Sequence, residues 1–267
     1  MGDVFIKNCQ VLENRQLMEG TYLMRLRAPE IAAAAKPGQF VMVRTGSEPL
    51  EGGPLLRRPF SLHRLNSSGE ISLLYRVIGV GTRIMGGVEP GRELEIMGPL
   101  GRGFDFSEAK EQSYLVAGGI GLAPMIALAE AMGDRKSKFF YGARTSKEVD
   151  VFLALIRQTP YEGELVLTSE DGLKAAKGMV TGPLAVALEE EPAQLFACGP
   201  RLMLARVAVL AREAGVRAQV SLEANMACGL GACLSCAVER ASGEESGPVY
   251  SRVCFEGPVF FAEEVRW

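Results

Sequence analysis

The chain has 267 residues, of which 48% are hydrophobic and 23% are charged, and its formal net charge is −3. This length suffices for two domains with buried cores. A weak negative charge without a basic block argues against a nucleic-acid partner or an anionic-membrane partner. The sequence has one histidine, His63. This argues against mechanisms that depend on clusters of histidines, such as histidine-rich zinc sites.

No apolar run approaches the ~20 residues that span a bilayer, and the start, MGDVFIKNCQ, has no uninterrupted apolar stretch like that of a secretion signal. We therefore expect a cytoplasmic protein without a membrane partner. In that reducing compartment, cysteines at short spacing indicate metal ligands or redox groups rather than disulfides.

The first part of the chain, up to about Gly103, consists of short β-rich segments separated by Gly, Pro and Asn turns. The segments are VFIKNCQVL, TYLMRLRAP, GQFVMVR, RPFSLHR, ISLLYRVIG and ELEIMG. This pattern predicts an antiparallel β-barrel domain over residues 1–104. In it, Cys9 is interpreted as a small core residue and His63 as a strand residue near the surface. The run AAAA at 32–35 predicts a short surface turn of helix.

From Gln112 the pattern changes to strands that alternate with helices, beginning with YLVAGG and LAPMIALAEAM and ending with the strand RAQVSLE. Such alternation predicts a parallel sheet covered by helices, a Rossmann-like domain over residues 105–222. From about Glu223 the pattern breaks again, and residues 223–267 hold four of the six cysteines. The expected fold is thus a β-barrel, an α/β domain and a small third domain.

Three cysteines follow C-x4-C-x2-C, and a fourth comes after 17 intervening residues. They are Cys228, Cys233, Cys236 and Cys254. This spacing is typical of plant-type [2Fe-2S] sites. Gly229 and Gly231 let the backbone turn close to the sulfides. A zinc site, or cysteines that are simply buried, are the alternatives on spacing alone.

A glycine-rich loop, AGGIGLAPM, follows the strand YLVAGG and opens an apolar helix. Gly118, Gly119 and Gly121 can bring backbone amides to a phosphate at the start of that helix. The loop is not G-x-G-x-x-G, so an ordinary tight turn is the alternative.

Two further segments, TSEDG and ACGP, are expected at the same edge of the sheet. Glu170 and Asp171 could accept hydrogen bonds from an adenosine ribose and would repel a 2′-phosphate, which favours NAD over NADP. Lys174 and Lys177 weaken that preference, and a polar turn is the alternative.

In ACGP, a parallel strand ends and a helix begins. Cys198, Gly199 and Pro200 are therefore candidates for contact with the nicotinamide nucleotide, and Cys198 is the candidate catalytic residue.

Two arginines in the β-rich part are candidates for binding an anion. Arg58 precedes a Pro-fixed extended segment, and Arg76 precedes a loop that contains Gly79 and Gly81. Arginine suits a pyrophosphate because it offers paired N–H donors. Composition alone does not distinguish them from ordinary residues at strand ends.

RPFS, YRVIGVGT, AGGIGLAP and ACGP, in this order, resemble the ferredoxin-reductase superfamily over residues 1–222. With MACGLGACLSCAV and RVCFEGPVF added, the whole chain resembles the electron-transfer subunits of dihydroorotate dehydrogenase B. The resemblance implies a [2Fe-2S] cluster on the four cysteines. It also implies FAD contacts from Arg58, Pro59, Phe60, Ser61, Tyr75, Arg76, Val77, Gly81 and Thr82. Phe60 and Ser235 depart from that family, in which an aliphatic residue and a glycine are common.

The three expected cofactors define a chain of electron transfer. NADH exchanges hydride, a [2Fe-2S] cluster exchanges single electrons, and FAD converts between the two. We expect nicotinamide to stack on the flavin near Cys198. The resemblance implies a partner, an FMN-containing subunit that oxidises dihydroorotate in pyrimidine biosynthesis, in a heterotetramer of two subunits of each kind.

Three alternatives stand beside this prediction. A related reductase could serve a hydrogenase or a sulfide-handling partner. The chain could instead be a stand-alone NADH-dependent reductase. It could also be a binding subunit with a zinc knuckle and an empty nucleotide fold.

Overall fold

The computed structural model describes residues 3–45, 54–66, 68–107, 112–241 and 249–267. The N-terminal part is a closed six-stranded antiparallel barrel with strand order β1-β2-β5-β4-β3-β6, which confirms the predicted barrel. Its strands are β1 (Phe5–Met18), β2 (Thr21–Arg27), β3 (Phe40–Val43), β4 (Arg58–Asn66), β5 (Glu70–Arg76) and β6 (Glu93–Leu100).

The barrel closes around a core of aliphatic side chains. Leu26, Val41 and Ile71 are fully buried in it, and Cys9 is buried with them, as expected of a small core residue. Two short helices complete this part: α1 (Pro29–Ala34), which has a proline in its first turn and includes most of the AAAA run, and α2 (Val80–Gly86).

The second part is a sheet covered by helices. Its parallel strands are β7 (Ser113–Gly118), β8 (Ser137–Ala143), β9 (Glu164–Ser169), β10 (Ala176–Lys177), β11 (Gln194–Cys198) and β12 (Ala218–Ser221). Its helices are α3 (Leu122–Met132), α4 (Ser146–Ile156), α5 (Thr181–Glu190) and α6 (Arg201–Glu213). Strand β7 is buried along its whole length, as expected of a parallel strand covered on both faces. Over the described ranges, every helix is too short or too polar to cross a membrane.

The C-terminal part forms a two-stranded ribbon and then returns to the large sheet. The ribbon pairs β13 (Ala237–Glu239) with β14 (Tyr250–Arg252), and β15 (Val259–Phe261) adds to β12 as an antiparallel seventh strand. The order of that sheet is β10-β9-β8-β7-β11-β12-β15. The last strand is therefore shared with the α/β part, and the division at residues 104 and 222 stays a prediction.

His63 lies in β4 and is 1% exposed, so the expectation of a position near the surface is wrong. Its position coincides with a register shift between Leu62 and Arg64 in the pairing with β5. The physical reason for the burial is that helix α3 packs against β4, so this face of the barrel is covered by protein.

Candidate functional site

A cleft of about 1040 Å³ opens between the barrel, the start of α3 and the segment 222–226. Eight of the nine residues predicted to contact FAD line it. They are Arg58, Pro59, Phe60, Ser61, Tyr75, Arg76, Gly81 and Thr82. The ninth, Val77, does not line the cleft, and its backbone N–H donates to the carbonyl of Gly20 at 2.7 Å. The barrel thus brings two motifs, RPFS and YRVIGVGT, to one wall.

Aromatic side chains form a rigid part of that wall. The ring of Tyr75 stacks on Tyr22 with centroids 5.6 Å apart and meets the ring of Phe60 edge-on at 5.7 Å. The Tyr75 hydroxyl donates to the side-chain oxygen of Asn14 at 2.9 Å, and burial raises the pKa of Tyr75. Tyr75 is therefore a neutral, fixed side chain that suits a flat apolar ring.

The arginines in and next to the RPFS segment differ in their partners. Arg57 and Arg44 both pair with Glu95. Within the described part of the chain, Arg58 forms no salt bridge, and its Nη1 donates to the carbonyl of Leu56 at 2.9 Å. The Arg58 guanidinium therefore has donors left for an anion in the cleft.

Arg76, which also lines the cleft, donates to Oε1 of Glu148 on α4 at 2.7 Å. Glu148 also accepts from the backbone N–H of Arg144 at 2.8 Å, and its side chain is only 8% exposed. The Arg76–Glu148 pair thus connects the barrel to the α/β part at the side of the cleft.

A buried hydroxyl beside Gly81 fits a bound phosphate group. Thr45 Oγ1 has no hydrogen-bond partner among the described residues. A Cβ at position 81 would lie 2.9 Å from that oxygen, so glycine leaves the approach to it open. An unpartnered hydroxyl, a guanidinium with donors left over and an aromatic wall together fit a flavin dinucleotide.

The four cysteines come together as two pairs. In the inner pair, Cys236 and Cys254 are buried, and their sulfur atoms are 3.3 Å apart. In the outer pair, Cys228 is hydrogen-bonded to Cys233, which is exposed. The ribbon explains the inner pair, because β13 begins directly after Cys236 and β14 ends two residues before Cys254.

Backbone N–H groups of the glycine-rich loop point at the sulfur atoms. Gly231 N donates to Cys254 Sγ at 3.2 Å, and Leu230 N donates to Cys228 Sγ at 3.3 Å. Gly231 has φ +81°, and a Cβ there would lie 3.0 Å from Phe255. The tight loop therefore needs glycine, and its amides stabilise negative charge on the thiolates.

Ser235 adds a side-chain hydrogen bond to the outer pair. Its Oγ accepts from the backbone N–H of Ala227 at 3.2 Å and lies 3.3 Å from Cys233 Sγ. Hydrogen bonds with Ser235, and then with Cys228, lower the pKa of the Cys233 thiol to about 6. Cys233 is therefore largely a thiolate at neutral pH, the form that binds a metal.

This donor set fits a two-iron cluster. In the described residues, no three His, Cys, Asp or Glu side chains converge on one metal position. A tetrahedral zinc site needs its donors around one point, whereas a two-iron cluster takes two thiolates on each iron. Two pairs of cysteines, each in contact within the pair, match the second arrangement.

Comparison with known proteins gives the family. A model for the iron-sulfur cluster binding domain of dihydroorotate dehydrogenase B matches residues 223–266. The dihydroorotate dehydrogenase B (NAD(+)) electron transfer subunit of Desulforamulus reducens is 38% identical, and the match covers 100% of both chains. The chain belongs to this family of electron transfer subunits. Its relative in Fusobacterium nucleatum is 34% identical, with 98% of both chains covered.

Solved structures support the same architecture. An NADH-dependent reduced ferredoxin-NADP oxidoreductase superposes with a TM-score of 0.80 at 26% identity, covering 97% of this chain and 90% of the other. The ferredoxin reductase of carbazole 1,9a-dioxygenase has a TM-score of 0.64 at 22% identity, with 80% and 67% covered, and shows the fold alone.

The glycine-rich loop lies where the sequence predicts it, between β7 and α3. A Cβ at Gly121 would lie 2.4 Å from the carbonyl oxygen of Cys198, and one at Gly118 would lie 2.7 Å from Met203 Sδ. Gly119, with φ +53°, has no atom within 4 Å of such a Cβ. Two of the glycines thus allow close packing on the β11–α6 turn, and Gly119 has an open side that a ligand can approach.

The two acidic residues predicted to contact ribose differ in their surroundings. The Asp171 carboxylate accepts hydrogen bonds from the backbone and hydroxyl of Ser146, from the hydroxyl of Ser169 and from Leu173 N. These bonds, with the Ser146 backbone first, lower the pKa of Asp171 to about 2. Asp171 therefore holds the turn after β9 against the start of α4, whereas Glu170 is exposed. Ribose contact by either residue stays a prediction.

Cys198 ends β11 at the expected edge of the sheet, but it is 1% exposed and does not line the cleft. Burial first, and then the charge of Glu223, raise the pKa of the Cys198 thiol to about 12. It is thus a neutral thiol, and its catalytic role stays a prediction. Gly199 approaches Gly118 closely, and Pro200 precedes α6.

One acidic residue of the cleft is absent from the sequence predictions. Glu223 lines the cleft with Asn225, two residues after β12 ends. Its side chain is open to solvent, yet protein atoms surround it closely enough that desolvation raises the pKa of its carboxyl. The available signal was its place after a strand, at the edge where TSEDG and ACGP also lie.

Proposed function

We propose that the chain passes electrons between NAD and the FMN of a dihydroorotate-oxidising catalytic subunit, through a [2Fe-2S] cluster and FAD, in de novo pyrimidine biosynthesis. One observation carries the proposal: Leu222 to Met226 line the cleft, and Cys228 follows two residues later. The cleft and the cysteine pairs are therefore adjacent, as a relay between a flavin and a cluster requires.

The chain's own residues supply the binding and the electrostatics. When bound, FAD exchanges hydride with NAD(H) and single electrons with the cluster. We propose that Arg58 and Thr45 hold phosphate, while Phe60 and Tyr75 exclude water from the ring. Pro59, Ser61, Arg76, Val77, Gly81 and Thr82 complete the proposed FAD contacts. The proposed cluster ligands are the inner and outer pairs of cysteines. Because Cys233 is exposed, the outer pair lies on the side of the cluster that faces the surface.

We propose that NAD lies over the loop after β7. Gly119 offers the open approach, and Gly118 and Gly121 allow the loop to pack. Glu170, which is exposed, would accept a hydrogen bond from the adenosine ribose, and its charge would repel a 2′-phosphate. NAD is therefore favoured over NADP. Cys198, Gly199 and Pro200 form the neighbouring turn, where the neutral thiol adds no charge beside the nicotinamide.

The proposed assembly contains two copies of this chain and two FMN-containing catalytic subunits. The family name, electron transfer subunit, supports a catalytic partner. The division into an FAD domain (1–104), an NAD domain (105–222) and a cluster domain (223–267) belongs to the same proposal, as does a cytoplasmic location.

The test is co-purification of the chain with the catalytic subunit, followed by an assay of dihydroorotate-dependent NAD⁺ reduction. Under anaerobic conditions we expect about two irons per chain, with acid-labile sulfide. Cys233→Ala should lose iron and dihydroorotate-dependent reduction, yet keep FAD and its bleaching by NADH. Cys198→Ala is the control and should keep its iron. Wild-type protein without iron and labile sulfide would refute the proposal.

A second function has one observation in its favour. The NADH-dependent ferredoxin-NADP oxidoreductase shares the fold over nearly the whole chain. The chain would then be a reductase subunit serving a hydrogenase, a sulfide-handling enzyme or another redox partner. In that case the holo-chain would reduce such a partner with NADH, and no dihydroorotate-dependent NAD⁺ reduction would be detected.

A further inference from the structure

The side chain of Arg252, at the end of β14, reaches the loop that carries the outer pair of cysteines. Its Nη1 donates to the carbonyl of Gly231 at 2.8 Å. The backbone N–H of the same glycine donates to Cys254 Sγ at 3.2 Å. Arg252 therefore holds in place a glycine whose own N–H group contacts the inner pair of cysteines.

Two residues in the turn after β14 fix the guanidinium of Arg252. It lies over the ring of Phe255, 4.6 Å from the ring centroid. It also forms an ion pair with Glu256, whose two carboxylate oxygens accept from Arg252 Nε at 3.2 and 3.1 Å. Oε2 of Glu256 accepts in addition from the backbone N–H of Arg252 at 2.7 Å. The planar guanidinium, with donors on several sides, is thus held in one orientation against the loop.

The ion pair places two opposite charges beside the cysteine loop. The Arg252 guanidinium is positive at all relevant pH values, and it is in direct contact with the loop. The carboxylate of Glu256 binds the guanidinium and offsets part of its charge. Both side chains are about one-third buried or more, at 32% and 31% exposed, so water screens them incompletely.

Fixed charges near an iron-sulfur cluster shift its reduction potential. Reduction adds one electron, so the reduced form carries one more negative charge than the oxidised form. A cation close by stabilises the reduced form and raises the potential, whereas an anion lowers it. Arg252 and Glu256 therefore act on the potential with opposite signs.

We propose that Arg252 is a positioning residue for the cluster, which holds Gly231 against the inner pair of cysteines and raises the reduction potential by its charge, while Glu256 limits that rise. The inference rests on the proposed function, which supplies the cluster. The ion pair sets the potential without changing a ligand.

The experiment is a redox titration of the anaerobic holo-chain, followed by electron paramagnetic resonance. Arg252→Gln should lower the cluster potential by about 59 mV, a tenfold shift in a one-electron equilibrium. Glu256→Gln should raise the potential, because the guanidinium loses the anion that offsets its charge. The double variant should return close to the wild-type value. Arg252→Lys keeps the charge and should stay closer to wild type than Arg252→Gln does.

Arg15→Gln is the matched control. Arg15 is an exposed arginine on β1 that pairs with a nearby glutamate, Glu13, outside the ribbon and the cysteine loop. This variant should keep the wild-type potential. The holding role has its own measurement, the loss of iron to a chelator followed by visible absorbance. Iron loss should be faster in Arg252→Gln than in wild type, and an equal rate would disprove the holding role.

The signs of the shifts decide between a charge effect and a disturbed loop. Shifts of the same sign in Arg252→Gln and Glu256→Gln would refute the proposal, and so would unchanged potentials in both. If Arg252→Gln purifies without iron, Glu256→Gln decides: a potential above wild type supports the proposal, and one at or below wild type overturns it. If the wild-type chain itself binds no iron, the proposed function fails instead.

Discussion

At Ser235, the hydroxyl accepts a hydrogen bond from Ala227 N, so its own hydrogen is left to point towards Cys233 Sγ. This residue departs from the resembled family, in which glycine is common at that position. A hydrogen bond to a thiolate ligand favours the reduced, more negative cluster. The Ser235 hydroxyl would thus adjust the reduction potential of the proposed cluster without being a ligand.

We predict that Ser235→Ala lowers the reduction potential of the cluster by about 20–60 mV. The lost hydrogen bond is worth about 0.5–1.5 kcal/mol, and a tenfold change in a one-electron equilibrium is about 59 mV. Redox titration followed by electron paramagnetic resonance measures the shift. Ser107→Ala, whose hydroxyl donates to Asp105, is the control and should leave the potential unchanged. An unchanged potential in Ser235→Ala would contradict the assignment.

His63 is a buried polar residue whose ring nitrogens both lack a partner among the described residues. Burial first, and then the charge of Arg64, lower its pKa from 6.5 to about 3. The group is therefore neutral in the folded protein. The unfolded chain takes up a proton near pH 6.5, so the stability contributed by neutral His63 is complete above that pH and is lost as the pH falls towards 3.

The prediction for His63→Leu is a flatter dependence of stability on pH. Between about pH 6.5 and 4, the free energy of unfolding of the wild type should fall more steeply than that of the variant, by up to about 1.4 kcal/mol per pH unit. Urea denaturation of both proteins at a series of pH values measures the difference. Carboxyl groups titrate alike in both proteins and cancel. Parallel curves would show that His63 is protonated in the folded state.

At the scale of elements, the loops that carry the motifs meet because parallel strands end at one edge of a sheet. Strands β7 and β11 are neighbours, and the turns after them contact each other through Gly121 and Cys198. Periodicity predicts the strands, and chain direction then predicts the edge. The tightness of the contact is a tertiary property, since the two turns are far apart in the sequence.

We predict opposite profiles for two alanine variants in the loop after β7. In Gly121→Ala, the new Cβ meets a backbone carbonyl, which should lower the free energy of unfolding by about 1–3 kcal/mol. In Gly119→Ala, the left-handed backbone costs about 1 kcal/mol, and the methyl group occupies the open side, so the Kd for NAD⁺ should rise. Urea denaturation and nucleotide titration measure both effects. A larger loss of stability in Gly119→Ala than in Gly121→Ala would contradict the packing around Gly121.

At the scale of the whole molecule, ion pairs connect the barrel with the α/β part. Arg76 on β5 pairs with Glu148 on α4, and Arg64 on β4 pairs with Glu130 on α3 at 2.5 Å. Both pairs lie partly buried between the two parts of the chain. Since the cleft opens at the same boundary, these pairs help to set the position of the cleft walls.

We predict that Glu148→Gln lowers the free energy of unfolding by about 1–3 kcal/mol, because the Arg76 guanidinium loses a shielded charged partner. FAD should also bind more weakly, since Arg76 lines the cleft. Glu164→Gln is the matched control, because Glu164 pairs with Lys138 but is 59% exposed. Its loss should stay below about 1 kcal/mol. Urea denaturation and FAD titration measure the two variants, and equal losses would contradict the bridging role.

Local periodicity, chain direction and short spacing were enough to predict the two fold types, the motif loops and the clustering of four cysteines, whose role as cluster ligands stays a prediction. Packing of the folded chain adds residues to the cleft that no sequence motif indicates. Helix α3 covers β4 and buries His63. Ser146, 25 positions before Asp171 in the sequence, donates a hydrogen bond to the Asp171 carboxylate. Strand β15 pairs with β12 as the last strand of the large sheet. Glu223 also lines the cleft because of tertiary packing, since the segment after β12 lies against the barrel wall there. These contacts join segments that are distant in the chain, and their geometry follows from packing the whole molecule.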